Sequence, residues 1–568
     1  MSASDHYAIR DPKVNFASLS DPIDTPTLRK ERGAFFTPSE IARFLTKWAI
    51  REPGDQVMEP AAGDAAFLVA AVARLRELAP DAGSCPNVHG VEIHAHSAHV
   101  ARKRVREAGG EAFIRQSDFF VVEPEPAFDA VVGNPPYIRY QDFTGETRAR
   151  AREAAIRGGI SLTGLASSWA AFTVHSALFL KQGGRLAFVL PAELLSVNYA
   201  APVRKFLFNR FRDVQLVLFD EQVFQEAEAD VVLLLADGYL EGPANHATVR
   251  QTRNAATLES LGPGQSWTPA DPAAKWTSSL IDPNIISLLH TLSEQGLYTD
   301  LETWGDTTLG MVTGNNKYFT LSPQRAKELG LRPNELLSLS PPGSSHLRGL
   351  ALSNAMLKKL GDEGHSIHLF YPSDPPSAAA AAYIADGHRT GVDTAYKCRV
   401  RKTWYRVPLV PPADLLLTCM NADTPRITAN AAGVRHLNSV HGVYLNDTYR
   451  KLGRELLPLA SLNSITLLHA EMVGRAYGGG ILKIEPKEAD IWAMPSPRLI
   501  SSSAQALRKV KPKVAKLLDG GRLLEAVNAV DLVLLEGCED LSETQIQRLR
   551  QARAELANRR NMRAASGR

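Results

Sequence analysis

The residues best suited to chemistry are Gly133-Asn134-Pro135-Pro136-Tyr137, which follow directly on the apolar run Phe128-Asp129-Ala130-Val131-Val132. Proline fixes φ and lacks an N–H, so the prolines hold the carbonyls of Asn134 and Pro135 in a set direction, and the segment presents acceptors. The Asn134 amide oxygen and the Pro135 carbonyl can both accept from one exocyclic NH2 group, localising its nitrogen lone pair and aiming it outward. That suits alkylation of an amine. Tyr137 adds a flat ring able to stack on a planar base, a contact worth about 1–3 kcal/mol per base. An Asn-initiated Pro-Pro turn with a core-anchoring tyrosine is the plain alternative. The position after a strand favours a site, because open α/β sheets bind ligands at the carboxyl ends of their strands.

Further upstream, Val57-Met58-Glu59 leads through Pro60, Ala61, Ala62, Gly63 and Asp64 toward a helical pattern. Small residues in such a turn let a ligand approach the backbone, although a tight strand-to-helix connection explains them equally well. This is not GxGxxG: Gly63 is its only glycine, and the acid after it disfavours a pyrophosphate. The next strand pattern ends at Glu92, where an acid hydrogen-bonds ribose hydroxyls in nucleoside-binding sheets, and the one after it ends at Ser117-Asp118-Phe119, a carboxylate beside an aromatic face. Together these strand tips outline a nucleoside pocket. His94, His96 and His99 form H-x-H-x2-H, but without an added Cys or acid at ligand spacing, and next to a solvent-facing ARKRVRE, they predict no metal site.

These residues must be positioned by the alternation that runs from Thr37 to about Gly238, in which strand-length apolar runs alternate with helical patterns. Such alternation predicts an α/β fold, a mostly parallel sheet covered by helices on both faces. The length of 568 residues implies two to four domains, and 44% hydrophobic with 22% charged residues is globular composition. The net charge of +3 neither demands nor forbids nucleic acid. The four cysteines (Cys85, Cys398, Cys419 and Cys538) form no CxxC pair, which suits a reducing cytoplasm, and there is neither a long apolar span nor a signal-like start, so no membrane is expected. Pro and Gly in EGPANH and LGPGQSWTPADPAAKW mark a boundary. The predicted organisation is an arm over residues 1–28, a β/α domain over 29–240, a linker over 241–277, a second, less regular α+β domain over 278–500 and a helical segment over 501–568. The basic end, RLRQARAELANRRNMRAASGR, reads either as a solvated helix face or as a nucleic-acid contact.

With RGAFFTPSEIARFL, EPAAGDAAF, GVEI, SDFF and NPPY in this order, the chain resembles the gamma-class, TaqI-like, S-adenosylmethionine-dependent DNA adenine-N6 methyltransferases of restriction-modification systems. The resemblance covers nearly all of residues 29–240 and implies a Rossmann-like methyltransferase domain with a mixed, mostly parallel seven-stranded sheet. It implies further that Thr37, Glu59 and Ala61 meet the methionine part of the cofactor, that Glu92 takes the ribose hydroxyls with Ile93 beside the adenine, and that Asp118 and Phe119 hold the cofactor adenine. Asn134, Pro135 and Tyr137 would hold the target base. EQVFQEAEADVVLLL resembles the family's late catalytic motif and offers Phe224 as a second stacking ring, although Gln225 stands where proline often follows. LGMVTGNNKYF, with Gly310, Gly314, Asn316 and Phe319, then RKTWYRVP and YGGGILKIEP, resemble the family's target-recognition domain more loosely. That domain argues against the shorter enzymes sharing NPPY that methylate a glutamine of release factors.

The implied reaction methylates N6 of an adenine flipped out of duplex DNA, because the amine cannot be reached in line inside the helix. No covalent intermediate is needed, in keeping with a motif that lacks cysteine. Arg399, Arg401, Lys402 and Arg406 are candidate DNA contacts, with exposed charge as the alternative. The expected partners are double-stranded DNA and a separate restriction endonuclease acting on the same site, and one chain carrying both functions is expected to act as a monomer. The rival readings are methylation of RNA, cytosine N4 or a protein glutamine, and an inactive DNA-binding subunit, against which the intact NPPY argues.

Overall fold

The structure is a computed structural model that describes residues 37–80, 85–221, 223–224, 231–269, 271–477, 480–536 and 541–565. The arm at 1–28 therefore lies outside the described residues. In the first lobe, α1 (Ser39–Ala49) precedes β1 (Val57–Glu59), α2 (Ala66–Leu78), β2 (Asn87–Glu92), α3 (Ala95–Glu107), β3 (Glu111–Gln116) and β4 (Phe128–Gly133). Next come α4 (Gly145–Arg157), α5 (Ser168–Ala177), β5 (Leu180–Pro191), α6 (Ala201–Arg210), β6 (Phe211–Phe219) and β7 (Val231–Tyr239). The sheet order is β3-β2-β1-β4-β5-β7-β6, continued by β8 (Ala247–Thr252) and β9 (Gln265–Trp267). Its first five strands are parallel, and β7 runs antiparallel between β5 and β6.

Side chains on successive strand residues point to opposite faces, and here both faces are covered. Ala130 and Val132 pack with α1, α2 and α3, whereas Val131 packs with α4, α5 and α6. Double coverage explains why β7 is buried at every position and reads as a continuous apolar run.

Among the described residues the sheet has nine strands where seven were expected. The two extra strands fall inside the stretch anticipated as a linker: β8 (Ala247–Thr252) runs parallel to β6, and β9 (Gln265–Trp267) runs antiparallel to β8. The prolines and glycines of this region occupy the connections, while ATVRQT between them alternates inward Ala247 and Val249 with more accessible Thr248 and Arg250. Trp276 packs in the first lobe's core, so the change of lobe follows it.

The second lobe begins with α7 (Pro283–Glu294) and contains an antiparallel sheet of order β10-β13-β11-β12. Its strands are β10 (Gly305–Leu309), β11 (Leu415–Thr418), β12 (Ile427–Ala429) and β13 (Val440–Leu445). Helices α8 (Arg450–Ala460), α9 (Ser464–Val473), α10 (Ala504–Asp519), α11 (Leu523–Leu534) and α12 (Glu543–Ala565) close the chain. Leu507, Leu534 and Leu549 of the last three share one core with Leu415, Leu456 and Trp492, so the terminal helical segment is an integral part of this lobe. Among the described residues no single helix is long and apolar enough to cross a membrane.

Candidate functional site

The carboxyl ends of β1, β2, β3 and β4 bring Glu59, Glu92, Asp118 and Asn134 to one edge of the parallel sheet. The turn from β1 into α2 is held by Ala62 N–H donating to the Val91 carbonyl at 2.9 Å, and both Gly63 and Ala65 adopt left-handed backbone, with φ of 48° and 65°. Gly63 N–H then points at Glu92, donating to Oε2 at 2.9 Å, while His94 N–H donates to Oε1 at 2.8 Å. Each carboxylate oxygen has a further lone pair, so Glu92 is oriented without being saturated. Ile93 beside it is 57% exposed, an apolar face open to a ligand. The turn also depends on Gly90, where a Cβ would sit 3.3 Å from both the Ala62 Cβ and a Leu68 methyl.

Glu59 lies beneath this turn, and its Oε2 is buried without a hydrogen-bond partner. Burial, with the negative charges of Asp64 and Glu92 adding to it, holds its carboxyl well above the usual carboxylate range. Asp64 pairs with Arg104 at 2.5 Å, which fixes the turn from outside. Asp118 caps a short turn by accepting from Phe120 N–H at 3.0 Å and faces Arg150 at 3.4 Å.

Gly133 ends β4 with φ of 155° and lies against Glu59: a Cβ there would meet the Glu59 Cγ and Pro60 Cδ at 3.5 Å. Asn134 donates from Nδ2 to Thr37 Oγ1 at 3.2 Å, and the Tyr137 hydroxyl lies 2.6 Å from its Oδ1 and 3.1 Å from the Val189 carbonyl. The carboxamide orientation is thereby set, with one Oδ1 lone pair left for a further donor. Tyr137 touches the core layers on both faces of the sheet, and burial pushes its hydroxyl well above the usual tyrosine range. Ser168, at the start of α5, clamps the loop: its Oγ donates to the Pro136 carbonyl at 2.5 Å and accepts from Ile138 N–H at 2.8 Å. Sequence reasoning missed Ser168 and Arg150, whose only local signal is their place at or within a helix on the far side of the loop.

Thr37, Glu59, Ala61, Glu92, Ile93, Asp118, Asn134, Pro135 and Tyr137 thus lie on or beside one sheet edge. The two phenylalanines are placed differently. Phe119 is 3% exposed, with its ring centroid 5.3 Å from Phe172, 5.4 Å from Phe179 and 4.8 Å from His175 inside the core. Phe224 is 6% exposed in the layer that contains α1 and α2.

In the second lobe, Arg399 and Lys402 are exposed. Arg401 instead donates to the Val312 and Thr313 carbonyls at 2.7 and 2.8 Å and lies over the Phe319 ring, while Arg406 lies 4.9 Å over Tyr371. Two of the four cations are therefore engaged in holding the loop. Among the described residues no group of three His, Cys, Asp or Glu converges as a metal site.

Residues 25–239 match the family model of the N-6 DNA methylases, and residues 273–535 match that of the C-terminal domain of Type II methyltransferase M.Eco57I. The chain is 22% identical over 525 residues to Type II methyltransferase M.AccI of Acinetobacter calcoaceticus, covering 89% of this chain and 94% of that protein. It is 26% identical over 477 residues to Type II methyltransferase M.XamI of Xanthomonas campestris pv. amaranthicola, covering 82% and 85%. Among solved structures it resembles the Type IIL restriction-modification enzyme MmeI in complex with DNA, with a TM-score of 0.55 at 11% identity over 91% of this chain and 75% of that one, a likeness of fold. The chain thus carries, in succession over most of its length, an N-6 DNA methylase region and a Type II methyltransferase C-terminal region.

Proposed function

We propose that the protein is a site-specific DNA methyltransferase that methylates N6 of an adenine flipped out of duplex DNA, protecting that site from a separate restriction endonuclease. The observation that carries this reading is the Asn134 carboxamide, fixed by Thr37 and Tyr137 at the end of β4 with an acceptor lone pair to spare, beside the nucleoside-type acids of β1 to β3.

The residues present fit S-adenosylmethionine. Glu59 Oε2 is a buried acceptor without a donor, which the ammonium of an amino acid supplies; Glu92 retains acceptor capacity for ribose hydroxyls; exposed Ile93 offers an apolar face to a purine; and Asp118, which accepts from Phe120 N–H and faces Arg150, retains lone pairs for an adenine amine. Bound there, the cofactor supplies an electrophilic sulfonium methyl group. Thr37 and Ala61 line the methionine end, and Phe119 acts from within the core by positioning Asp118.

Asn134 Oδ1 and the Pro135 carbonyl accept the two N6 hydrogens of the flipped adenine, turn its lone pair toward the methyl group and stabilise the positive charge that develops on nitrogen. Stacking on Tyr137 offsets part of the few kcal/mol that base flipping costs, while Phe224, buried in the layer of α1 and α2, supports the pocket from the core side. Arg399 and Lys402 contact DNA phosphates or base edges, whereas Arg401 and Arg406 shape the loop that presents them. The catalytic lobe in this reading runs from 29 to about 277, and the recognition lobe takes in the rest.

The test is to incubate the protein with labelled S-adenosylmethionine and, separately, with genomic DNA, total RNA and a release factor, then identify the product by mass spectrometry. N6-methyladenine in DNA is expected, with turnover down at least about 100-fold in Asn134→Ala and cofactor binding retained. N4-methylcytosine, label confined to RNA or protein, or normal turnover in Asn134→Ala would overturn the proposal.

A further inference from the structure

A cluster of buried charge in the second lobe has no part in the chemistry above. Asp423, Thr424 and Arg426 lie in the turn that precedes β12, Glu471 lies on α9, Arg553 and Arg560 lie on α12, and Arg348 approaches from a loop. Arg348 and Arg426 bracket Asp423, donating to its two carboxylate oxygens at 2.8 and 2.9 Å. Arg560 meets both oxygens of Glu471, at 2.9 and 3.1 Å, and donates to the Asp423 carbonyl at 3.0 Å. Four guanidinium groups therefore surround two carboxylates, leaving two positive charges unbalanced within the cluster.

The unbalanced charge coincides with unused donors. Arg426 is 5% exposed, yet its Nε and Nη1 are buried without a hydrogen-bond partner, as are Arg553 Nε and the hydroxyl of Thr424. An unpaired buried charge is among the costliest features a fold can carry, and an unmatched guanidinium is satisfied best by an oxyanion able to accept several N–H groups at once. Burial, joined by the charges of Arg348 and Arg553, holds the Arg426 guanidinium below its usual range despite its pairing with Asp423. The cluster is reachable from one side, where the side chains of Arg348 and Asp423 are 34% and 41% exposed.

We propose that Arg426 and Arg553, supported by Arg348 and Arg560, form a binding site for a phosphate oxyanion whose oxygens accept from Arg426 Nε and Nη1 and Arg553 Nε. The same chemistry is offered by a backbone phosphate of bound duplex and by free phosphate. The site does not depend on methyl transfer, so its test is independent of the reading above.

Full-length protein is titrated calorimetrically with inorganic phosphate at constant ionic strength and checked by thermal unfolding against sodium chloride. Saturable binding of one phosphate with a rise in Tm is expected, weakened about tenfold or more in Arg426→Gln and in Arg553→Gln. Arg553→Gln carries the test if the more buried Arg426→Gln fails to fold. Displacement of phosphate by a duplex oligonucleotide identifies a DNA-backbone site; simultaneous binding identifies a site for free phosphate. Stabilisation no greater than that given by chloride, or phosphate affinity unchanged in the folded variants, overturns the proposal.

Discussion

Glu59→Gln separates the electrostatic role proposed for the β1 tip from mere packing. The wild-type carboxyl is held above its ordinary range by burial and by the charges of Asp64 and Glu92, and its Oε2 has no partner. The folded, cofactor-free protein therefore binds a proton more tightly than the unfolded chain does. Its stability falls as pH rises above the ordinary carboxylate range and levels off once Glu59 ionises. A cationic ammonium placed against Oε2 reverses this preference, so cofactor binding must expel the proton. Affinity then rises with pH, by up to about tenfold or 1.4 kcal/mol per unit, until the raised pKa is passed. Glutamine keeps the shape but cannot ionise, so Glu59→Gln loses a charge-assisted hydrogen bond worth about 1.5–3 kcal/mol, or roughly 10- to 150-fold in cofactor affinity, together with the pH slope. Calorimetry in two buffers of different ionisation enthalpy, at a pH just above the ordinary carboxylate range, counts the released protons directly. Equal proton release by the wild type and the variant, or equal affinity at neutral pH, would refute the assignment of the ammonium to Glu59.

Tyr137→Phe removes the hydroxyl bond to Asn134 Oδ1 but keeps the ring, so turnover should fall only about 2- to 12-fold, for the net worth of one hydrogen bond. Tyr137→Ala should cost about 1–3 kcal/mol more through lost base stacking, read as weaker binding of a duplex with an unpaired target base; equal losses in the two variants would remove stacking from the account. In the second lobe, fully buried Asp531 accepts from Ser464 N–H at 2.8 Å, from its hydroxyl at 2.6 Å and from Arg550 at 2.8 Å. Asp531→Ala should therefore destabilise the protein by about 3 kcal/mol in urea unfolding, an effect that an unchanged midpoint would exclude.

The sequence by itself determined the class of fold and the contents of the sheet edge. β1 and β4 are buried on both faces and read as apolar runs closed by the polar Glu59 and Asn134, and the mixed strands β2 and β3 lead to Glu92 and Asp118, so the four could be read off as a set before any coordinates. Their adjacency follows from parallel connectivity, which puts every carboxyl end on one side. What escaped was whatever depends on partners remote in the chain. Strands β8 and β9 are short and flanked by prolines and glycines, and only the pairing of β8 with β6, and of β9 with β8, makes them strands at all. Phe119 has the composition of a purine-binding residue, but whether its ring faces a pocket or a core is set by Phe172, Phe179 and His175, contributed by α5 and the residues around it. The cations of the recognition lobe look alike in sequence. Tertiary contacts alone divide Arg399 and Lys402, left in solvent, from Arg401, spent on loop carbonyls, and from Arg426, buried with donors to spare. Local patterning fixes which way a side chain leaves the backbone; what it meets there is decided by elements remote in the chain.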